Sequence, residues 1–483
     1  MILASLIIIN CTACASSEQS GDETGSETES EAQSTAETEI PDNLPDNLNF
    51  DGETIHIIAR DWEIVKNELY VESETGDIVD SAVYKRNLNT EEQLNVDLDY
   101  YLTDDVEKTS SQSILAMADD YQIVAGWSLM LDTYGQQNMY HNVLDGSLKY
   151  LDVTQPWWSQ YYIDGAKIGN KCFFVTGDLA TSFCKLSFVT FYNKTVAENY
   201  GITDLYDCVT SGEWTISKQE EYIKNVYSDV NGDNVADQSD IYGLGVSNVL
   251  TFDVFWSAFD IHSVIKSSDG TVTLNDDMSK IQSCAETVYD LFYNNPNVLD
   301  LPVEGGNTEQ NKLAGLLASD NLLFAYLRVI HTESDLRGMQ SDYGIMPLPK
   351  WDEAQTNYYT YVHDQFTSFG IPVTCVDTDA ASATLELLAV NSYRYVTPAY
   401  YNIALNGKYL RDTESSEMLE IAMDGISLDF GWLHSASLDF LPQVLFRNPL
   451  NSKSTNISSV YASKQKYYTK LLQDLCDTYA SIN

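Results

Sequence analysis

The sequence predicts an α/β protein of two lobes, built from mainly parallel sheets with helical coverings. Three observations carry this reading. Strand and helix patterns alternate between residues 54 and 126, the signature of a parallel sheet covered by helices. Roughly 430 residues follow the N-terminal tract, more than one hydrophobic core usually organises, so two lobes are expected. Further on, residues 278–293 place Ile281, Cys284, Ala285, Val288, Leu291 and Phe292 at the three- and four-residue spacings of a helix with one buried face.

The elements follow in order. Thr54 to Ala59 is short and apolar after a Pro-rich entry and reads as a strand. A helix is expected over 78–94, and Asn95 to Tyr100 alternates as a half-buried strand. Ser110 to Ala118 reads as a helix and Tyr121 to Gly126 as the next strand. Around 151–167 the pattern becomes polar and Trp-rich, marking the edge of the first lobe. Leu313 to Ala318 and Asn321 to Val329 read as a helical pair. Tyr343 to Pro349 is a strand running into a proline stop, since a following Pro disfavours helix. Ser368 to Val373 reads as a strand leading into a helix over 378–391, capped by Asp377 or Thr378. Beyond residue 14 no segment reads as a membrane span, and no internal repeat is visible.

The N-terminus has its own logic. The apolar run Ile2 to Ile9 ends in Thr12-Ala13-Cys14, a short apolar core followed by small residues, as a signal peptide requires. Cys14 is the expected lipidation site, with 1–14 forming a signal peptide and lipobox; lipid chains on such a thiol anchor a soluble domain without a spanning helix. Cys11 follows Asn10 and fits less well. No basic residue precedes the run, so a few residues upstream of Met1 are expected. From Ala15 to Asn49 the chain carries ten carboxylates and no Lys or Arg. Such a tract cannot repay its ordering entropy and is expected to be a disordered acidic tether.

The chain holds 72 acidic residues against 26 basic ones, for a formal charge of −46. That field repels nucleic acid and anionic lipid headgroups, and it disfavours an anionic ligand unless local Arg residues override it. A neutral solute or a divalent cation suits it better. The 32 Tyr, 16 Phe and 8 Trp are a high aromatic load, able to fill a core or to stack on sugar faces. Cys172, Cys184, Cys208, Cys284, Cys375 and Cys476 form no zinc-type cluster; Cys172 and Cys184 are the nearest pair, read equally as a bridge or as two buried thiols.

The sharpest local pattern is the stretch 229–240. Asp229, Asn231, Asp233, Asp237 and Asp240, with the Val235 carbonyl between them, occupy the ligand positions of a calcium-binding loop. Asn234 stands where such loops hold Gly, and Asp240 where they hold Glu. A structural Ca2+ is the expectation, with no organic cofactor. No catalytic set stands out: GxSxG, HExxH, P-loop and dinucleotide-binding turns are absent, and any carboxylate pair chosen among 72 carries little information. The six histidines are dispersed and read as structural.

Aromatics beside hydrogen-bonding groups supply the candidate ligand residues. Trp127 follows an expected parallel strand, at the carboxyl end where such sheets open to ligands. Trp157 and Trp158 lie near the lobe edge, Trp256 in an aromatic run, and Tyr361, His363 and Asp364 before the return crossing. Asp178 in a Gly-Asp turn completes the set. The competing reading is that each fills the core.

These features, in this order, resemble the bacterial extracellular solute-binding proteins, family 1, that serve carbohydrate ABC importers. The resemblance rests on Thr12-Ala13-Cys14 with its acidic tether, Ile123 to Trp127, Leu151 to Thr154 before Trp157-Trp158, the loop 229–240 followed by Ile241-Tyr242-Gly243, and Asp342 to Lys350. It implies a two-lobe periplasmic-binding-protein-like fold with an interlobe cleft. Lobe 1 would comprise 50–160 and a return segment 366–400, and lobe 2 would comprise 161–365 and C-terminal helices 401–483. It further implies a lipid-anchored, non-enzymatic monomer on the outer face of a Gram-positive cytoplasmic membrane. Such a protein binds a carbohydrate, an oligosaccharide by preference, and delivers it to ABC permease subunits. The alternatives are a surface glycan-processing enzyme or glycan-adhesion protein, and an importer component for a peptide or other neutral solute.

Overall fold

Ile55, Ile57 and Ile58 have no polar residue between the last two, and all three are buried. Such a run suits a strand covered on both faces. It forms β1 (Glu53–Arg60) of the computed structural model, which describes residues 40–482 apart from 248–249, 268–269, 303, 305–306, 402–404 and 406–408. The signal peptide, Cys14 and the tether as far as residue 39 lie outside the described residues. The last part of the expected tether is seated: Leu44 and Leu48 pack against the core, and Asp42 pairs with Arg394 at 3.2 Å.

Helix α1 (Ile78–Leu94) begins where Asp77 accepts hydrogen bonds from Val79 N and Asp80 N, and ends where Asn95 turns left-handed at φ 52°. Strand β2 (Val96–Thr103), helix α2 (Val106–Leu115) and strand β3 (Ile123–Trp127) follow, and α3 (Ser128–Gly135) starts directly at the end of β3. The chain then crosses to a second sheet with β4 (Phe188–Asn193), β5 (Tyr242–Ser247), α4 (Leu250–Ala258), α5 (Ser279–Tyr293), β6 (Val298–Leu301), α6 (Thr308–Ala318), β7 (Leu322–Arg328) and β8 (Tyr343–Met346). It returns for β9 (Thr367–Gly370) and α7 (Thr378–Asn391), then crosses again to α8 (Thr413–Asp424) and the long α9 (Ile457–Ser481).

The first sheet has the order β9-β3-β1-β2, with β1 parallel to β2 and β3, and β9 antiparallel to β3. The second has the order β8-β4-β7-β5-β6; β7, β5 and β6 run parallel, while β4 is antiparallel to β7 and to β8. The carboxyl ends of β1 and β3 in the first sheet and of β7 in the second lead to the space between the lobes, where such sheets open to ligands.

One segment differs from its sequence reading. Residues 321–329, expected as a helix, hold the central strand β7, whose seven residues are all buried. Covered on both faces, β7 shows no period of two, and an unbroken apolar run does not distinguish a buried strand from a buried helix. All six cysteines of the folded part are free thiols, so Cys172 and Cys184 form no bridge. Among the described residues no helix is long and apolar enough to cross a membrane.

Candidate functional site

The chain passes between the sheets at 179–187, at 361–366 and after Val396. The first two passes lie side by side: Phe188 N donates to Tyr361 O at 2.8 Å and His363 N to Leu186 O at 3.0 Å. Both are pinned to the first lobe by a buried polar group. Arg60, the last residue of β1, donates through Nη2 to Gln365 O at 2.6 Å and to Thr367 Oγ1 at 3.0 Å. Thr367 Oγ1 in turn donates to Glu68 Oε1, and Glu68 Oε2 accepts from Ser182 N at 2.9 Å. Charge-assisted bonds of this kind are the strong ones.

Directly beyond the pins lies a chamber with about 370 Å³ of empty space, walled by Ser128 and Leu129 of the first lobe, Tyr361 and Asp364 of the second pass, Ser257 of α4, and Asp429 and Trp432. The Tyr361 and Trp432 rings stand 6.0 Å apart, and the Arg447 guanidinium lies 5.7 Å from the Trp432 ring. The chamber therefore joins aromatic faces to a small set of polar groups, the usual composition of a small-molecule site.

Its electrostatics are set by burial. Desolvation and the neighbouring Asp253 charge push the Asp364 carboxyl up to about 7, against the pull of Arg447, the Trp127 indole and Arg60. Burial, followed by the charges of Arg328, Arg447 and Arg60, drives His363 down to about 3, so its ring is neutral. Asp429 shares His262 with Asp260, at 3.0 and 2.8 Å, and against the opposing cost of burial these two carboxylates push His262 up to about 10.

The sequence-derived ligand residues fall into separate groups. Tyr361 and Asp364 line the chamber together, while Trp127, at the end of β3, is outside its lining and holds a buried indole N–H without a hydrogen-bond partner. His363 sits behind them with Nδ1 unpartnered. Trp157, Trp158 and Asp178 line a different groove of about 1300 Å³ with Tyr400 and Tyr401. Both indoles there are buried, and each donates at 2.9 Å to Glu386, whose carboxyl burial pushes up to about 8. Asp178 Oδ1 accepts from Thr397 Oγ1 at 2.5 Å. Trp256 is buried on α4, with its ring 5.9 Å from Phe446, and belongs to neither wall.

Sequence reasoning missed Arg60, Trp62, Arg328, Asp429 and Trp432. The rule that singled out Trp127 would have found Arg60 and Trp62, which end β1 and follow it.

The calcium expectation is corrected. Among the described residues no group of three or more His, Cys, Asp or Glu side chains is placed to hold a metal ion. In the loop 229–240 the oxygens close turns instead. Asp229 accepts from Gly232 N and Asn234 N, Asn231 from Asp233 N, Asp233 from Val235 N, and Asp237 from Ser239 N. Asp240 is buried and accepts from Val230 N and the Tyr227 hydroxyl, while Val235 is exposed. Alternating Asp and Asn thus forms a series of side-chain-capped turns.

No protein-family model matches the chain, and no curated protein sequence matches it. Solved structures do. A sugar transporter from Rhizobium etli, in an open conformation, superposes with a TM-score of 0.59 at 13% identity, covering 89% of this chain and 100% of that one. An ABC substrate-binding protein from Listeria monocytogenes in complex with cycloalternan gives 0.56 at 10% identity, over 88% of this chain and 100% of the other. UgpB from Mycobacterium tuberculosis in complex with glycerophosphocholine gives 0.54 at 13%, over 83% and 97%. The fold is the two-lobe periplasmic-binding-protein fold. At these identities the likeness establishes architecture alone.

Proposed function

We propose that this chain is the extracellular solute-binding component of an ABC importer, held to the membrane by lipid on Cys14, which encloses a carbohydrate between its lobes and passes it unaltered to permease subunits. One observation carries the reading. The interlobe chamber is walled by the Tyr361 and Trp432 rings, with Asp364, Asp429, Ser128 and Ser257 around them. Ring faces cover the C–H faces of a sugar while carboxylates and hydroxyls take its hydroxyl groups. The fold's structural neighbours include proteins crystallised with cycloalternan and with maltose, and one with glycerophosphocholine, so architecture alone does not choose the ligand and the chamber's lining does. The acidic tether, with no basic residue over its length, gives the lobes reach from the membrane surface.

Titration calorimetry against a panel of mono- and oligosaccharides tests this, with intrinsic tryptophan fluorescence as a second readout. At least one saccharide is expected to bind. Trp432→Ala is expected to weaken it about tenfold or more, equivalent to about 1.4 kcal/mol. Calorimetric silence across the panel, or turnover of a bound glycan, overturns the proposal.

A further inference from the structure

The interlobe chamber is lined by two carboxylates, Asp364 and Asp429, and by no Lys, Arg or His. The carboxylates in and around it differ in how their charge is answered. Asp253 of α4 accepts from Arg447 Nε at 2.9 Å and also from Nη2. Asp429 Oδ1 has the His262 ring at 3.0 Å, and against the cost of burial the carboxylates around that ring push it up to about 10, so it is a cation at neutral pH. Asp364 has no such partner. Among the described residues the one basic group within ion-pair reach of it is His363 Nδ1 at 3.9 Å, and burial keeps that ring neutral.

The more distant cations that pull on Asp364 are spent elsewhere. Arg60 Nη2 donates to Gln365 O and to Thr367 Oγ1, and Arg447 holds Asp253. The Arg328 charge acts on His363 and, with Arg447, on Tyr361. Desolvation and the like charge of Asp253 accordingly push the Asp364 carboxyl up to about 7. The side chain nevertheless keeps 25% of its surface exposed and forms part of the chamber wall, so it is open to a group that enters there. A carboxylate with a like charge nearby and no counter-charge is the group that an arriving cation stabilises most.

The walls beside it favour the same kind of group. The Tyr361 and Trp432 rings line the chamber with Asp364, and aromatic π-systems attract cations as well as covering apolar C–H surface. A hydroxyl can donate one hydrogen bond to Asp364 but leaves its charge in place. An ammonium group donates up to three and neutralises it. An anionic group would meet two carboxylates and no base in the lining. The formal charge of −46 draws cations toward the protein as a whole.

We infer that the solute is an amino saccharide, whose ammonium group is received by the carboxylate of Asp364 beside the Tyr361 and Trp432 rings. This rests on the reading of the chamber as a carbohydrate site and names the class of sugar it takes.

The test uses the full chain and three matched disaccharides titrated by calorimetry at neutral pH: one with a free amine, the same one N-acetylated, and the same one with a hydroxyl in place of the amine. The amine form is expected to bind the native protein at least about tenfold tighter than either neutral form, the scale of a cation held by a desolvated carboxylate beside aromatic rings. Asp364→Asn is expected to bring the amine form down to the level of its hydroxyl counterpart. That change keeps the shape and removes a charge that burial penalises, so the Tm of the variant at neutral pH is expected to equal or exceed the native value, which reads its folding independently of binding. Amine and hydroxyl forms binding alike to the native protein, or an amine preference that survives Asp364→Asn, overturns the amino-saccharide assignment and leaves the carbohydrate reading standing. Silence of all three, together with the neutral saccharide panel, overturns both.

Discussion

Replacing Thr367 by Val keeps the shape of a 2% exposed side chain and deletes the hydroxyl that joins Arg60 to Glu68. Arg60 Nη2 retains Gln365 O, and Glu68 retains the Ser182 amide, so neither charge is stripped bare. Two bonds to charged groups are lost. Hydrogen bonds to charged partners contribute about 1.5–3 kcal/mol each, and the two here share one oxygen, so a total of about 2–4 kcal/mol is expected. That is a large share of the roughly 5–15 kcal/mol by which domains are stable. Urea unfolding followed by tryptophan fluorescence should show the midpoint falling with an unchanged m-value, because the surface exposed on unfolding is the same. Thr367→Ser, which restores the hydroxyl and removes only a methyl, should recover most of the loss. A Thr367→Val destabilisation below about 0.5 kcal/mol would show that Arg60 and Glu68 are satisfied without the bridge, and the account of the pins would fail.

Three further outcomes follow from the same structure. Burial, followed by the Asp253 charge, raises Asp364 from 3.8 to about 7, so the stability it contributes is fully present below 3.8 and lost as pH rises through 7. Relative to Asp364→Asn, the native protein should therefore lose Tm between about pH 4 and 7, and a pH-independent difference would contradict the burial of that carboxyl. The turns of the loop 229–240 are closed by protein hydrogen bonds, so neither millimolar Ca2+ nor EDTA should move Tm, as differential scanning fluorimetry will show. The six thiols are free, so dithiothreitol should leave Tm unchanged, and a reductant-induced drop would reveal a bridge.

Where local chemistry fixes an element, the sequence was legible. The bounds of α1 and α7 follow from Asp77 and Asp377, whose carboxylates accept the first amides of each helix, and both helices fall where the pattern placed them. Where tertiary burial decides, it was not. Leu322 to Leu327 reads as apolar in either secondary structure, and mistaking β7 for a helix hid that Arg328 stands at the carboxyl end of a central strand. Trp432 was invisible for another reason. The segment around it is held by contacts far apart in sequence: His434 Nδ1 to Asp132 at 3.0 Å, Gln136 to Ser437 at 2.6 Å, and the Tyr479 hydroxyl to Asp132 at 3.1 Å. Nothing in local spacing marks that a C-terminal ring reaches the end of β3. In the loop 229–240 the side-chain spacing is compatible with metal ligation and with capped turns alike, and only the direction of each oxygen separates them.

On the proposed reading a solute enters the chamber as the lobes part, because its empty space of about 370 Å³ lies between them. On that reading the pins set where the lobes would part: Thr367, Arg60 and Glu68 tie both passes to the first lobe, which would leave the paired stretch at Leu186–Phe188 and Tyr361–His363 to take the bend. Tyr361 is both a wall of the chamber and a member of that paired stretch, and Asp364 lines the same space. A ligand that rests on the Tyr361 ring while touching Trp432 favours the closed arrangement only to the extent that it binds that arrangement more tightly than the open one. Affinity and closure are then one quantity, read at the same ring.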